Sequence, residues 1–319
     1  MNLKTAIIGG AGYTAGELLR LLIHHPQAEI VFVQSTSNAG NFLTDIHEGL
    51  IGETELTFSE QFDLNGIDVL FLCSAHGDSR KFVEATAIPA SVKIIDLSMD
   101  YRHQATADGF VYGLPELNRQ AIRTAGRIAN PGCFATAIQL ALLPLADKKR
   151  LENEIHVHAI TGSTGAGVKP SATRHFAWRD NNISVYKVFE HQHLQEINES
   201  LHCAPAQINF IPVRGNFSRG IFASVYTESD LTLEETTQIY RDFYRDAAFT
   251  FLSDRNIDMK QAVNTNKCIL HLEKHGNKLL ILSVIDNLLK GASGQAVQNM
   301  NLMFGLDEKA GLALKASGF

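Results

Sequence analysis

The sequence predicts an α/β chain of two domains: a doubly wound domain with a parallel sheet, then an α+β domain whose sheet is mainly antiparallel. Three observations predict it. Strand-like and helix-like segments alternate through roughly the first 130 residues. A glycine-rich turn joins the first strand to the first helix. After about residue 150 the pattern changes to several strands with one long helix. The boundaries read this way are 1–132 for the first domain and 133–294 for the second, with a C-terminal helix over 295–319 packing back on the first.

In the first domain, Thr5 to Ile8 is a short apolar strand. Gly12 to His25 reads as a helix, with Leu18, Leu19, Leu22 and Ile23 on one side and Pro26 as its stop. Glu29 to Gln34 is the next strand. Ile67 to Cys73 is a continuous apolar run, the signature of a strand buried on both faces. Lys93 to Leu97 and Gly126 to Ala129 complete this set.

In the second domain, Ala135 to Leu143 has helical spacing, with Ile138 and Leu142 on one face. Ile155 to Ile160 alternates, with His156 and His158 on one face. Lys187 to Leu201 reads as helical. Gln207 to Val213 and Ile221 to Tyr226 are strand-like. Thr232-x-x-Glu235 is a capping box opening a helix towards Phe249. Lys267 to Glu273 and Lys278 to Ile285 flank a hairpin turn at His275-Gly276-Asn277.

Composition narrows the function classes. The 319 residues are 45% hydrophobic and 19% charged, which excludes wholesale disorder. With 28 Lys plus Arg against 34 Asp plus Glu, the chain is mildly acidic, so neither nucleic acid nor an anionic membrane is an expected partner. No apolar run approaches the roughly 20 residues that span a bilayer. A cytoplasmic protein is expected. Cys73, Cys133, Cys203 and Cys268 are widely spaced and form no CxxC, so a disulfide framework is not expected.

The segment Gly9 to Gly16 follows the first strand directly. Gly10-x-Gly12-x-x-Ala15 fits a dinucleotide fingerprint, and Gly9-x-x-Gly12-x-x-x-Gly16 is the spacing of a shorter variant. Glycine here lets backbone N–H groups, including those of Tyr13 and Thr14, approach a pyrophosphate at a helix N-terminus. The first domain is therefore read as Rossmann-like and cofactor-binding. After the second strand comes Gln34-Ser35-Thr36-Ser37-Asn38, with no carboxylate for a ribose diol. Hydroxyls such as Ser35 and Ser37 suit a 2′-phosphate, which predicts NADP(H) over NAD(H).

Asn130-Pro131-Gly132 is turn chemistry and places Cys133 at or near a helix N-terminus, where the dipole stabilises a thiolate. A thiolate is the form that attacks an acyl group. It needs an acid–base partner, and His191 or His193 can supply it. Their spacing, two residues apart with no i, i+4 pair, argues against a metal site, and none is expected. The loop Thr161 to Lys169 is rich in glycine and hydroxyls, and Arg102 follows a strand end; both suit anions.

These motifs, with Asp96-Leu97-Ser98-x-Asp100-Tyr101-Arg102, Gly113-Leu114-Pro115-Glu116 and Asp286-Asn287-Leu288-x-Lys290-Gly291-Ala292, occur in an order that resembles the N-acetyl-γ-glutamyl-phosphate reductase family. Aspartate-semialdehyde dehydrogenase is a more distant relative. The resemblance implies NADPH-dependent reduction of an acyl phosphate to an aldehyde through a cysteine thioester, in arginine biosynthesis. It makes Cys133 the nucleophile and one of His191 and His193 the acid–base. It puts Gly9, Gly10, Gly12 and Gly16 on the pyrophosphate, and Asn287, Lys290 and Gly291 near the nicotinamide. Arg102 resembles the phosphate-binding arginine; Asn130, Ser163 and Gly165 would lie by the substrate, with Arg214 a further candidate. The second domain becomes catalytic and dimerising, in a homodimer or homotetramer. The partners are the acyl phosphate and inorganic phosphate.

Two departures matter. Thr36 stands where many members carry arginine, and Val213 where many carry histidine, followed by Arg214. The acyl group, acetyl or succinyl, stays open; Arg174, Arg179 and Arg214 are the cations that a succinyl carboxylate would want. The alternatives are an aspartate-semialdehyde dehydrogenase-like reductase and a non-catalytic NADPH-binding regulator.

Overall fold

The structure, a computed structural model, describes residues 2–318. Two compact units emerge: residues 2–131 with Ala292–Ala313, and Gly132–Gly291 with 314–318.

The first unit contains β1 (Leu3–Ile8), α1 (Tyr13–Ile23), β2 (Ala28–Gln34), β3 (Phe58–Ser59), β4 (Val69–Leu72), α2 (Asp78–Ala85), β5 (Lys93–Asp96), β6 (Val111–Tyr112), α3 (Pro115–Thr124) and β7 (Arg127–Ala129). Its seven strands pair in the order β3-β2-β1-β4-β5-β7-β6. Every pairing is parallel, as strand–helix alternation requires. All residues of β4 are buried, so its apolar run is that of a central strand. Ala6, Ile8, Leu70, Leu72 and Ile94 form one core, against which Phe82 and Val83 of α2 pack. Helix α1 buries Leu18, Leu19 and Leu22 of the expected face and Leu21 besides, while Ile23 is only half-buried.

The C-terminal expectation needs correcting. The helix spans only Gly294–Met303, all of it buried, and it packs on α1 and α3 within this unit. Phe304 caps it, Gly305 turns away at φ 68°, and residues 314–318 belong to the second unit. The expected helical range ended at Phe319, which lies outside the described residues.

The second unit contains α4 (Cys133–Asp147), β8 (Ile155–Thr161), α5 (Phe176–Arg179), β9 (Ser184–Val185), α6 (His193–Leu201), β10 (Ile208–Arg214), β11 (Ile221–Glu228), α7 (Leu233–Phe243), β12 (Thr250–Ser253), β13 (Cys268–His275) and β14 (Lys278–Ile285). Its seven strands run β12-β13-β14-β11-β8-β10-β9. The pairs β10–β8 and β12–β13 are parallel and the rest antiparallel, which gives a mixed sheet with mostly antiparallel strands.

Helix α4 is the core of this unit. Pro144 in its last turns has no N–H to give the Leu140 carbonyl. The Tyr244 hydroxyl donates to that carbonyl instead, at 2.6 Å, and Tyr240 donates to the Ala141 carbonyl. The capping box Thr232–Glu235 is formed in both directions and opens α7, which ends at Phe243 rather than near Phe249. The β13–β14 hairpin turns through Gly276 at φ 57°.

The segment read as helical from Lys187 is not helical until His193. Lys187 and Phe189 hold left-handed backbone, at φ 47° and 61°. Bulky residues adopt this only where tertiary contacts over-determine it. No helix among the described residues is long and apolar enough to cross a membrane.

Candidate active site

Cys133 is the first residue of α4. The turn before it leaves Gly132 as the N-cap with no side chain to occupy the helix's first N–H groups. The positive end of α4 therefore faces Cys133 directly, which favours a thiolate. The other thiols sit differently. Burial pushes the Cys73 thiol far up, helped by the nearby Asp96 charge, and burial also raises Cys203. Cys268 is buried, with its sulfur 3.6 Å from the Ser283 hydroxyl.

Helix α6 brings a histidine and a carboxylate to the same turn. A β-carbon on Gly132 would come within 2.4 Å of His193 Nε2 and 2.7 Å of a Glu196 oxygen. Glycine is thus required for the imidazole to lie against the residue before Cys133. Glu196 is 2% exposed; one of its oxygens accepts the Gly132 N–H at 3.1 Å, and the other lies 3.9 Å from His193 Nε2. Sequence reasoning missed Glu196, although its i, i+3 spacing from His193 carries the signal.

His191 is placed otherwise. Its ring packs edge-on against Phe134, Tyr186 and Phe210, and its Nδ1 accepts the His193 N–H at 3.2 Å. Burial first, then the neighbouring His193, pushes its pKa down to about 3. It stays neutral at physiological pH and orders the start of α6. His191 precedes α6, and the two imidazole centroids are 4.6 Å apart.

Tyr186 was also missed. Burial, and next the charge of Cys133, push its hydroxyl up to about 12, with Arg214 opposing. It therefore remains a neutral donor near the thiol. The Arg214 guanidinium lies over its ring, 4.4 Å from the centroid.

The glycine-rich loop is tied down by Asn287. The Asn287 side chain accepts the Gly220 N–H at 2.7 Å and donates to the Thr164 hydroxyl at 3.1 Å. Ser163 donates to the Phe217 carbonyl, and a β-carbon on Gly165 would meet only ordinary contacts with Thr161 and Asn287. Gly291 has a different reason to be glycine: a β-carbon there would lie 2.7 Å from Cys133 Cβ. Lys290 is fully buried in a single π-helical turn, Leu289–Ser293, a feature that concentrates at functional sites.

In the first unit, each fingerprint glycine has its own cause. Gly9 is at φ 80° against the Cys73–Ser74 backbone, and a β-carbon on Gly10 would lie 2.3 Å from Val33. At Gly16 a β-carbon would lie 2.6 Å from His47, whose Nε2 is 2.8 Å from the Gly10 carbonyl. At Gly12 nothing lies within 4 Å. Gly12 is the N-cap of α1 and makes no side-chain cap. The N–H groups of Tyr13 and Thr14 stand at this open end, with the Thr14 carbonyl taken by the Ser293 hydroxyl at 2.6 Å. The space is a cradle that suits a pyrophosphate, so the residues fit a dinucleotide.

The end of β2 adjoins this loop, because the Gln34 carbonyl accepts the N–H groups of both Gly9 and Gly10. Ser35 is buried and Ser37 exposed, and both hydroxyls accept from the Asn38 amide. Arg102 is 8% exposed, and its guanidinium donates to the carbonyls of Asn130 at 2.8 Å and Leu97 at 2.9 Å. The Asn130 amide is engaged inside the unit, donating to Ala292 O at 3.0 Å and accepting from Asn299 at 3.1 Å.

The chain is similar to known proteins over nearly its whole length. Residues 4–125 match the family model for the semialdehyde dehydrogenase NAD-binding domain, and residues 133–287 the model for the semialdehyde dehydrogenase dimerisation domain. The chain is 69% identical to the N-acetyl-gamma-glutamyl-phosphate reductase of Azobacteroides pseudotrichonymphae, over 99% of both chains. It is 62% identical to that of Bacteroides fragilis (strain YCH46), over 99% of this chain and 100% of the relative. In fold it resembles aspartate semialdehyde dehydrogenase II from Vibrio cholerae, with TM-score 0.73, 18% identity and 96% and 99% of the two chains covered. It also resembles the Candida albicans aspartate semialdehyde dehydrogenase solved with NADP, with TM-score 0.71, 13% identity and coverage of 98% and 99%.

Proposed function

Because the chain belongs to the N-acetyl-gamma-glutamyl-phosphate reductases, within the semialdehyde dehydrogenases, we propose that it reduces N-acetyl-L-glutamyl phosphate to N-acetyl-L-glutamate semialdehyde with NADPH, releasing phosphate. The observation that carries the reading is Cys133 at the start of α4 with His193 lodged against Gly132.

The Cys133 thiolate attacks the acyl carbonyl; the C–S bond forms and the C–O bond to phosphate breaks. The cradle at Gly12 and the N–H groups of Tyr13 and Thr14 would hold the dinucleotide, and the hydroxyls of Ser35 and Ser37 would suit its 2′-phosphate. When bound, the nicotinamide supplies the hydride that the Cys133 thioester accepts. His193 would protonate the oxyanion of the Cys133 thiohemiacetal and take that proton back as the C–S bond breaks to give aldehyde and Cys133 thiolate, with the Glu196 carboxylate 3.9 Å from its Nε2. We assign this role to His193 rather than to His191, whose ring packs against Phe134, Tyr186 and Phe210 and whose pKa burial pushes down to about 3. Arg102 is assigned to the leaving phosphate, and Ser163, Gly165 and Arg214 to the substrate.

We place the enzyme in the cytoplasm, where free thiols such as these four stay reduced. We assign a homodimer through the second unit's sheet, whose β8 and β11 leave His158 and Tyr226 exposed. Size-exclusion chromatography with light scattering tests it; a monomer would overturn it.

The activity is tested in reverse: phosphate-dependent reduction of NADP⁺ by N-acetylglutamate semialdehyde. Turnover is expected with wild type and lost in Cys133→Ser, which keeps NADPH binding. Turnover of aspartate semialdehyde alone would move the chain to that sister activity. NADPH binding with no turnover of either aldehyde would make it a regulator.

A further inference from the structure

We propose that His47 is a positioning residue for the cofactor: it holds the glycine turn in the shape that presents N–H groups to the pyrophosphate. This role rests on the reductase reading, with NADPH as cofactor, and falls to a residue outside the glycine fingerprint.

The glycine turn is tied down carbonyl by carbonyl. The Gln34 carbonyl accepts the N–H groups of Gly9 at 3.1 Å and Gly10 at 2.9 Å. The Gly12 carbonyl accepts the Gly16 N–H at 3.0 Å, and the Thr14 carbonyl accepts the Ser293 hydroxyl. The Gly10 carbonyl goes to His47, whose Nε2 lies 2.8 Å away. A carbonyl only accepts, so Nε2 carries the proton and donates. In a planar trans peptide the C=O and N–H point in opposite directions, so fixing the Gly10 carbonyl turns the Ala11 N–H away from His47. His47 thereby sets the orientation of one peptide plane in the turn. Donors oriented in advance bind an anion more tightly, because no ordering cost falls on the binding step.

His47 is itself held in place. Its N–H donates to the Leu43 carbonyl at 2.8 Å, and its own carbonyl accepts the Leu50 N–H at 2.9 Å. Leu43 and Leu50 are buried, so the segment is anchored on both sides of the imidazole. The ring lies tilted against Phe58 of β3, with centroids 6.1 Å apart. Phe58 also backs the turn, because a β-carbon on Gly10 would come within 3.1 Å of it. On the α1 side, a β-carbon on Gly16 would lie 2.6 Å from His47 Nδ1. Gly16 therefore makes room for the imidazole, while Gly12 keeps the open end of the cradle. The fingerprint glycine at 16 and the histidine at 47 form one device, in which a ring brought from a distant loop locks the turn.

Wild type, His47→Leu, His47→Asn and His47→Gln would be titrated with three ligands: NADPH; 2′-phospho-ADP-ribose, which keeps the pyrophosphate; and adenosine 2′-monophosphate, which lacks it. Urea unfolding of each apoprotein would be measured alongside. Leucine keeps bulk and removes the donor, and only the longer of the two amides reaches the Gly10 carbonyl. Loss of one positioned hydrogen bond raises the NADPH Kd about tenfold in His47→Leu and His47→Asn. Binding of 2′-phospho-ADP-ribose weakens by the same factor, that of adenosine 2′-monophosphate stays near wild type, and His47→Gln recovers most of the loss. The two amide variants report even where the leucine variant fails to fold. Unchanged NADPH affinity in His47→Leu and His47→Asn overturns the proposal. So does an equal loss for adenosine 2′-monophosphate, which would put His47 at the adenosine. So does a loss that follows the stability of the apoprotein and that glutamine does not recover, which would make His47 structural only. Failure of the cofactor reading is distinct: wild type would then bind neither NADPH nor 2′-phospho-ADP-ribose.

Discussion

The imidazole of His193 occupies the space that a side chain on Gly132 would need, 2.4 Å from its ideal β-carbon, so the ring is seated one residue from Cys133. This single packing relation separates two histidines that are near neighbours in sequence. His193→Asn is expected to lower kcat by about 10²- to 10⁴-fold, the range for a lost general acid–base. His191→Asn, whose amide oxygen can still accept the His193 N–H, should stay within about tenfold of wild type. Steady-state kinetics on both variants, with NADPH binding as a control, decides between them.

His191 also makes stability depend on pH. Its folded pKa is depressed to about 3 from 6.5, so below 6.5 the unfolded chain binds a proton that the folded chain refuses. The unfolded state carries more protons, and stability falls as pH drops from 6.5 towards 3. Urea unfolding at pH 7 and pH 5 should show a smaller difference in His191→Asn than in wild type. An unchanged difference would mean that the ring is not held neutral.

The glycines of the first turn should respond differently to alanine. At Gly12 a methyl group meets no protein atom, so Gly12→Ala should fold normally and weaken NADPH binding by at least about tenfold. At Gly16 the methyl group meets His47, and Gly16→Ala should cost about 1–3 kcal/mol of stability through overpacking. Thermal unfolding of the apoprotein and fluorescence titration with NADPH distinguish the two effects.

Asp286 is fully buried and paired with Arg219 at 3.0 Å, and it also accepts the N–H groups of Asn264, Leu288 and Leu289. Arg219→Met leaves this charge without its cation and should cost about 3 kcal/mol. Arg219→Lys should restore part of it. Equilibrium urea unfolding measures both.

Local chemistry made much of the molecule legible. Continuous apolar runs mark β1, β4 and β5, because a central parallel strand is buried on both faces. Thr232 and Glu235 mark the start of α7, because a capping box is made within four residues. The turn Asn130-Pro131-Gly132 marks the start of α4, and hence the placement of Cys133. These signals depend on bonds between near neighbours in sequence.

Other features depend on groups that only folding brings together. Gly305 marks the end of the last helix locally, but the course of residues 306–313 is placed by packing within their unit. The left-handed backbone at Lys187 and Phe189, which delays α6 until His193, is held against its own preference by the surrounding unit. Gly12 and Gly16 look alike in a motif, yet one faces open space and the other His47, 31 residues further on. Glu196 and Tyr186 carry no motif of their own; they gain their roles from proximity to Gly132, His193 and Cys133. The sequence by itself determined the main strands, the capping box of α7 and the turn before Cys133, because each is closed by local hydrogen bonds or periodic burial. Which histidine is held neutral and which glycine faces open space were decided by tertiary structure alone, because burial and close packing are properties of neighbours distant in the chain.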